Sequence, residues 1–155
     1  MDIAWDDLMA VIKRVDVLTI NDEEARQMSK EHSLVKAAQK ILKMGPKYLI
    51  IKKGEHGALL FHDSHVFFAP ALPLEEVVDP TGAGDTFAGG FAGYLAKTQN
   101  FSFENMKRAI IVGSAMASYT CEKFGPQRLL EINQDDINKR IAEFVSLVNF
   151  DIELV

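Results

Sequence analysis

The chain has 155 residues, 48% of them apolar and 25% charged, which is enough for one well-formed core and fits a single domain over residues 1–155. A formal net charge of −5 argues against a broad nucleic-acid surface, and the lone Cys121 excludes an internal disulfide and suits a reducing compartment. The start lacks a basic-then-apolar leader and no run approaches the ~18 apolar residues of a membrane span, so no membrane partner is expected and a cytoplasmic protein is the default.

Residues 2–14 read as an amphipathic helix with Trp5, Leu8, Met9 and Ile12 on one face. Val15 to Ile20 predicts a short strand, and Asn21-Asp22-Glu23-Glu24 then opens a capped, acid-rich helix; capping is the plain reading of Asn21 and Glu24. The next helix, from about Leu34 to Met44, is expected to bury Val35, Ala38, Ile41 and Leu42 and to stop at Gly45-Pro46. Tyr48-Leu49-Ile50-Ile51 is an unbroken apolar run, the pattern of a strand covered on both faces. Strand, helix, strand implies a parallel pair with a right-handed crossover. Gly54-Glu55-His56-Gly57 turns the chain into Ala58–Phe61, and Asp63-Ser64 turns it again into Val66–Ala69, an antiparallel hairpin at the sheet edge.

Beyond Pro70 and Pro73, a short strand near Glu76 to Val78 is expected to lead into Asp79-Pro80-Thr81-Gly82-Ala83-Gly84-Asp85 and a helix with Phe87, Phe91 and Leu95 four apart. Gly89, Gly90 and Gly93 each cost about 1 kcal/mol against alanine inside a helix, which implies close approach of another backbone. Ser102 caps a long helix from about Phe103 to Tyr119 whose small residues Gly113, Ser114, Ala115, Ala117 and Ser118 imply tight packing, and Phe124-Gly125-Pro126 ends that segment. A last helix, from about Gln134 to Val148, is capped by Asn133 and points Ile137, Ile141, Phe144, Val145 and Val148 inward. Such alternation of elements is that of an α/β layered sheet.

The glycine-rich loop carries the chemistry. Unpaired N–H groups at a helix start, with the positive end of the helix dipole behind them, make an anion site, and glycines let the backbone approach the ligand. Asp85 in that position reads either as an ordinary N-cap or as a base that takes a proton from an attacking hydroxyl, and the local pattern leaves both open. Other signatures are missing. There is no G-x-x-x-x-G-K-[ST] and no G-x-G-x-x-G, no G-x-S-x-G elbow, and His32, His56, His62 and His65 do not join Cys121 at zinc spacing.

Asp79 through Phe91 (DPTGAGDTFAGGF) closely resembles the C-terminal signature of the ribokinase-like, phosphofructokinase B type carbohydrate kinases. Asn21-Asp22-Glu23-Glu24 resembles the family's N-x-x-E motif, Lys53-Gly54-Glu55-His56-Gly57 its G-x-x-G nucleotide turn, and Gly125 lies in the loop that flanks the adenine site. The resemblance implies a three-layer αβα fold, mostly parallel with an antiparallel edge hairpin, and ATP-dependent phosphoryl transfer to a sugar or related small alcohol. It assigns Asp85 as base and the backbone of Gly82, Ala83 and Gly84 as the anion hole. It further implies that Asn21 and Glu24 help place Mg²⁺ and the triphosphate, with Glu24 acting through water. Lys53, Gly54, Gly57, Thr81 and Ser114 would line the nucleotide, and Asp79, Thr81 and the Gly125 region would hold a monovalent cation, as in some relatives.

Two residues depart from the family's habit. Lys52-Lys53 stands where relatives often have an uncharged hydroxyl residue, and Ser114 where many have asparagine. The resemblance also covers only the C-terminal part of the usual fold, since sugar pocket, lid and several strands come from an N-terminal half. A single α/β domain forming the nucleotide-binding and catalytic part of a longer kinase is therefore the expectation, with one sheet edge open to pairing with another chain, a homo-oligomer among the options. A non-catalytic nucleotide-binding fragment and a nucleoside kinase are the alternatives.

Overall fold

The computed structural model describes residues 4–149 and 151, which divide into two compact units, 1–69 and 70–155. The expected start of the first helix at residues 2 and 3 lies outside the described residues.

In the first unit, helix α1 (Trp5–Ile12) is followed by strand β1 (Val17–Asn21), helices α2 (Asp22–Ser29) and α3 (Leu34–Leu42), and strands β2 (Tyr48–Lys52), β3 (Ala58–His62) and β4 (His65–Ala69). The sheet order is β1-β2-β3-β4, with β1 parallel to β2 and the other two pairs antiparallel. The α/β class and the edge hairpin are those expected; among the described strands one pairing is parallel and two are antiparallel, so this part of the sheet is mixed where a mostly parallel one was expected. Alternation sorts the strand residues by face: Ile20, Leu49, Ile51 and Phe61 join Ile12, Ala25, Met28, Ala38 and Ile41 from the helices in one core. Ile50 and Leu60, on the opposite face, are equally buried, as the unbroken apolar run of β2 requires.

The helix starts follow the caps. Ser33 accepts the Lys36 amide, and Asn21 forms a reciprocal capping box with Glu24. Val35, expected inward, is 52% exposed, and Ala37 is buried in its place. On a nine-residue helix, a shift of two positions moves a side chain about 200° around the axis, so the stripe centres on Ala37, Ala38 and Ile41. Gly45 ends this segment with φ 151°, where a β-carbon would stand 2.7 Å from the Lys13 Cα.

The second unit holds α4 (Ala83–Thr98), α5 (Phe103–Thr120), α6 (Gln127–Glu131) and α7 (Gln134–Val148). The strand expected near Glu76 to Val78 does not form: Val77 and Val78 are 55% and 40% exposed, and the Val78 amide donates to the Cys121 carbonyl at 2.8 Å instead of to a ladder. A strand needs a partner, and this segment's backbone is taken by a helix end.

Helices α4 and α5 make the main contact of the unit. Gly113 admits the Phe87 carbonyl and ring, and Gly90 lies against the Gly113 Cα and Met116. Gly89 and Gly93 face open space, so the close approach expected of all three α4 glycines is made by Gly90 alone. The α4–α5 turn is held by Asn105, 3% exposed, whose amide donates to Thr98 Oγ1 and the Asn100 carbonyl, both at 2.8 Å. Helix α7 begins at the expected Asn133, in a capping box with Asp136. It buries Phe144, whereas Val145 and Val148 are 56% and 50% exposed because the covering elements do not reach round to that side.

A polar cluster ties α5, α6 and α7 together. The Arg140 guanidinium stacks 3.9 Å above the Tyr119 ring, donates to Ser118 Oγ and pairs with Glu122, while Arg128 pairs with the other Glu122 oxygen. The Tyr119 hydroxyl donates to the Asp136 carbonyl at 2.7 Å.

Candidate active site

The candidate residues fall in both units. In the first, the parallel register sets Asn21 opposite Lys52, so Asn21, Glu24, Lys53 and Gly54 gather at the carboxyl ends of two parallel strands. Open parallel sheets place ligands at that edge. Glu24 Oε2 accepts the Asn21 amide at 2.8 Å and Asn21 Oδ1 accepts the Glu24 amide at 2.7 Å, so the plain capping role is real. Among the described residues, the second carboxylate oxygen of Glu24 has no donor. Next to them, Gly54 (φ 56°) and Gly57 (φ 82°) bound a single 3₁₀ turn, closed by the Lys53 amide donating to the Gly57 carbonyl at 2.8 Å.

In the second unit the loop is built from its ends inward. Asp79 Oδ1 accepts the Thr81 amide at 2.9 Å, an Asx turn, and the Ala83 amide donates to the Pro80 carbonyl at 3.1 Å. Gly82 then enters the helix as its N-cap with φ 83°, a left-handed conformation open to glycine at little cost. The Thr86 amide donates to the Gly82 carbonyl at 2.9 Å and closes the first turn.

Asp85 therefore stands at the third helical position and not at the cap, and its side chain makes no cap hydrogen bond. The residue is exposed, and its carboxylate has no hydrogen bond or ion pair within the described residues. Among the described residues the amides of Gly82, Gly84 and Asp85 likewise have no acceptor, while the Ala83 amide is spent on Pro80. Three unpaired donors at a helix start, beside glycines with no β-carbon, form a donor set suited to phosphate oxygens.

Around this loop the electrostatics are simple. The Thr81 amide holds the Asp79 carboxyl below the usual carboxylate range. Burial, then the charges of Asp79 and Glu122, push the Cys121 thiol up. Ser114 is half-buried one residue past Gly113, and Gly125 is an exposed turn residue with φ 56°. No group of three or more His, Cys, Asp or Glu among the described residues is placed to hold a metal ion. An open groove of about 480 Å³ lined by Lys43, Lys47, His62 and Asp63 contains none of the candidate residues. No described helix is long and apolar enough to cross a membrane. The sequence reading missed the role of the last turn of α5, whose Cys121 carbonyl and Thr120 hydroxyl hold the loop; the only sequence signal was a polar residue ending an apolar helix.

Comparison with known proteins gives one consistent result. The profile of the pfkB family carbohydrate kinases matches residues 1–133. A cytidine kinase of Thermococcus kodakarensis is 42% identical over 90 residues, covering 56% of this chain and 32% of the relative. A ribokinase of Lactococcus lactis is 34% identical over 119 residues, covering 77% of this chain and 36% of the relative. Among solved structures, the aminoimidazole riboside kinase of Salmonella enterica, crystallised with aminoimidazole riboside and an ATP analogue, superposes with a TM-score of 0.76 at 25% identity over 88% of this chain and 46% of that one. The chain thus spans about a third of the length of these curated relatives.

Proposed function

The chain belongs to the pfkB family of carbohydrate kinases, and from that premise we propose that it is the nucleotide-binding and catalytic part of a kinase transferring the γ-phosphoryl group of ATP to a hydroxyl of a sugar or nucleoside. The observation that carries this reading is the pairing, on one helix turn, of acceptor-free amides at Gly82, Gly84 and Asp85 with an exposed, unpaired Asp85 carboxylate.

Phosphoryl transfer asks a protein mainly for positioning and charge stabilisation. The amides and the helix dipole hold the transferring phosphoryl oxygens, and preorganised donors of this kind are worth about 3–4 kcal/mol apiece in transition-state stabilisation. A carboxylate with no internal partner is free to accept the proton of the attacking hydroxyl. The anion hole consists of the Gly82, Gly84 and Asp85 amides; Ala83 contributes shape, because its amide is already bonded.

Mg²⁺ neutralises phosphate charge when bound. Glu24 suits it through water, since one carboxylate oxygen caps α2 and the other is available. Lys53, Gly54 and Gly57 border the triphosphate, Ser114 and the Gly125 loop border the nucleotide, and Asp79, Thr81 and Gly125 are the groups a monovalent cation would use.

The test joins calorimetry with ATP and Mg²⁺ to an ADP-release assay over sugars and nucleosides, including ribose and cytidine, on the wild type and Asp85→Asn. Nucleotide binding retained by both, with turnover abolished in the variant, supports the base; turnover by Asp85→Asn within tenfold of wild type removes it. A second reading is favoured by the short span relative to the curated relatives: a nucleotide-binding piece that turns over nothing by itself. Binding without ADP release on any acceptor selects that reading for this chain.

A further inference from the structure

We propose that Thr120, the last residue of α5, is a positioning residue that fixes the first turn of α4, and with it the anion hole and Asp85; the inference rests on the kinase reading for its consequence but not for its geometry. Thr120 is 3% exposed, and its Oγ1 donates to Thr86 Oγ1 at 2.9 Å across 34 residues of sequence. Its methyl group stands 4.0 Å from where a β-carbon on Gly82 would lie. One side chain thus bonds the far end of the first turn, Thr86, whose amide closes the turn on the Gly82 carbonyl, and places its methyl group on the side where a β-carbon of Gly82, the near end, would project.

The neighbouring residue completes the hold. Cys121 caps α5, and its carbonyl accepts the amides of Val78 at 2.8 Å and Asp79 at 3.4 Å, the two residues that enter the loop. The last turn of α5 therefore grips the segment before and after the glycines. Such a grip is needed there. A turn containing Gly82 and Gly84 has little intrinsic helix preference, and amides kept free for a ligand lend the turn no stability of their own.

A buried hydroxyl must be offset by a hydrogen bond, so packing alone would be served better at position 120 by valine, which has the same shape. The threonine is explained by what its hydroxyl holds.

The test is residue-resolved amide hydrogen exchange on the whole chain for wild type, Thr120→Val and Thr120→Ser. Loss of a hydroxyl bond of this kind should speed exchange of the Thr86 amide about fivefold in Thr120→Val, with wild-type exchange restored in Thr120→Ser and the Ile110 amide of mid-α5 unchanged in both. Thr86→Val removes the same bond from the other side and should reproduce the local effect if Thr120→Val fails to fold. Unchanged protection of the amide at position 86 in the valine variants, after correction for intrinsic exchange rate, or acceleration spread equally to Ile110, overturns the proposal. A parallel titration with MgATP separates the two claims. If the wild-type amides of Gly84 and Asp85 do not shift, the kinase reading fails while the exchange result still decides the role of Thr120; if they shift, Thr120→Val should bind MgATP about fivefold more weakly and Thr120→Ser as wild type.

Discussion

Gly113 and Phe87 meet so closely across the α4–α5 crossing that a β-carbon on Gly113 would stand 2.7 Å from the Phe87 carbonyl oxygen and 3.1 Å from its ring. Backbone cannot retreat as a flexible side chain can, so Gly113→Ala should destabilise the chain by about 1–3 kcal/mol, read as a lower urea midpoint. Gly89 and Gly93 lie on the same helix as Phe87 but face open space. Alanine at either should raise stability by about 0.5–1 kcal/mol, because only the helix preference changes. Equal effects at positions 89 and 113 would contradict this account of the crossing.

The turn between α4 and α5 depends on one buried amide. Asn105 donates to both Thr98 Oγ1 and the Asn100 carbonyl and is 3% exposed. Asn105→Ala leaves those two acceptors without their donor and should cost about 1–3 kcal/mol in equilibrium unfolding. A loss below about 0.5 kcal/mol would mean that water takes over both acceptors.

The elements that were legible in the sequence are those with a local cause. Asn21, Ser102 and Asn133 each accept a backbone N–H at the start of the helix they were expected to open. Tyr48–Ile51 was legible as a strand buried on both faces, and the hairpin from its turn residues. Features set by distant neighbours were not. Val145 and Val148 continue the apolar stripe of α7, yet periodicity does not say how far the covering helices extend. Residues 76–78 have strand composition, but pairing needs a neighbour, and the Val78 amide went to the Cys121 carbonyl. α6 is five residues long with no side-chain cap, too short to show a period. At the loop, the resemblance named Gly82, Ala83, Gly84 and Asp85 together; only the backbone shows that Gly82 is the cap, that the Ala83 amide is consumed, and that Thr120 stands behind the turn.

The Asx turn at Asp79 carries a pH signature. The Thr81 amide favours the carboxylate, so the folded-state pKa lies below the ordinary 3.8. The contribution of this bond is therefore complete above pH 3.8 and is lost as the pH falls through the lowered folded value. The Thr81 amide resonance should titrate with a midpoint below 3.8 in wild type, and Asp79→Asn, which keeps an acceptor oxygen, should abolish the step. A midpoint at or above 3.8 would show that the turn does not persist in solution.

The central claim is that main-chain amides beside the Asp85 carboxylate were shaped to hold a migrating phosphoryl group. Its most direct test is a titration of the ¹⁵N-labelled chain with MgATP, following each amide of the loop. The account predicts the largest shifts at Gly82, Gly84 and Asp85, whose N–H groups have no acceptor, and a smaller one at Ala83, bonded to Pro80. Saturation with MgATP that leaves those three resonances in place, or that moves Ala83 the most, would contradict it.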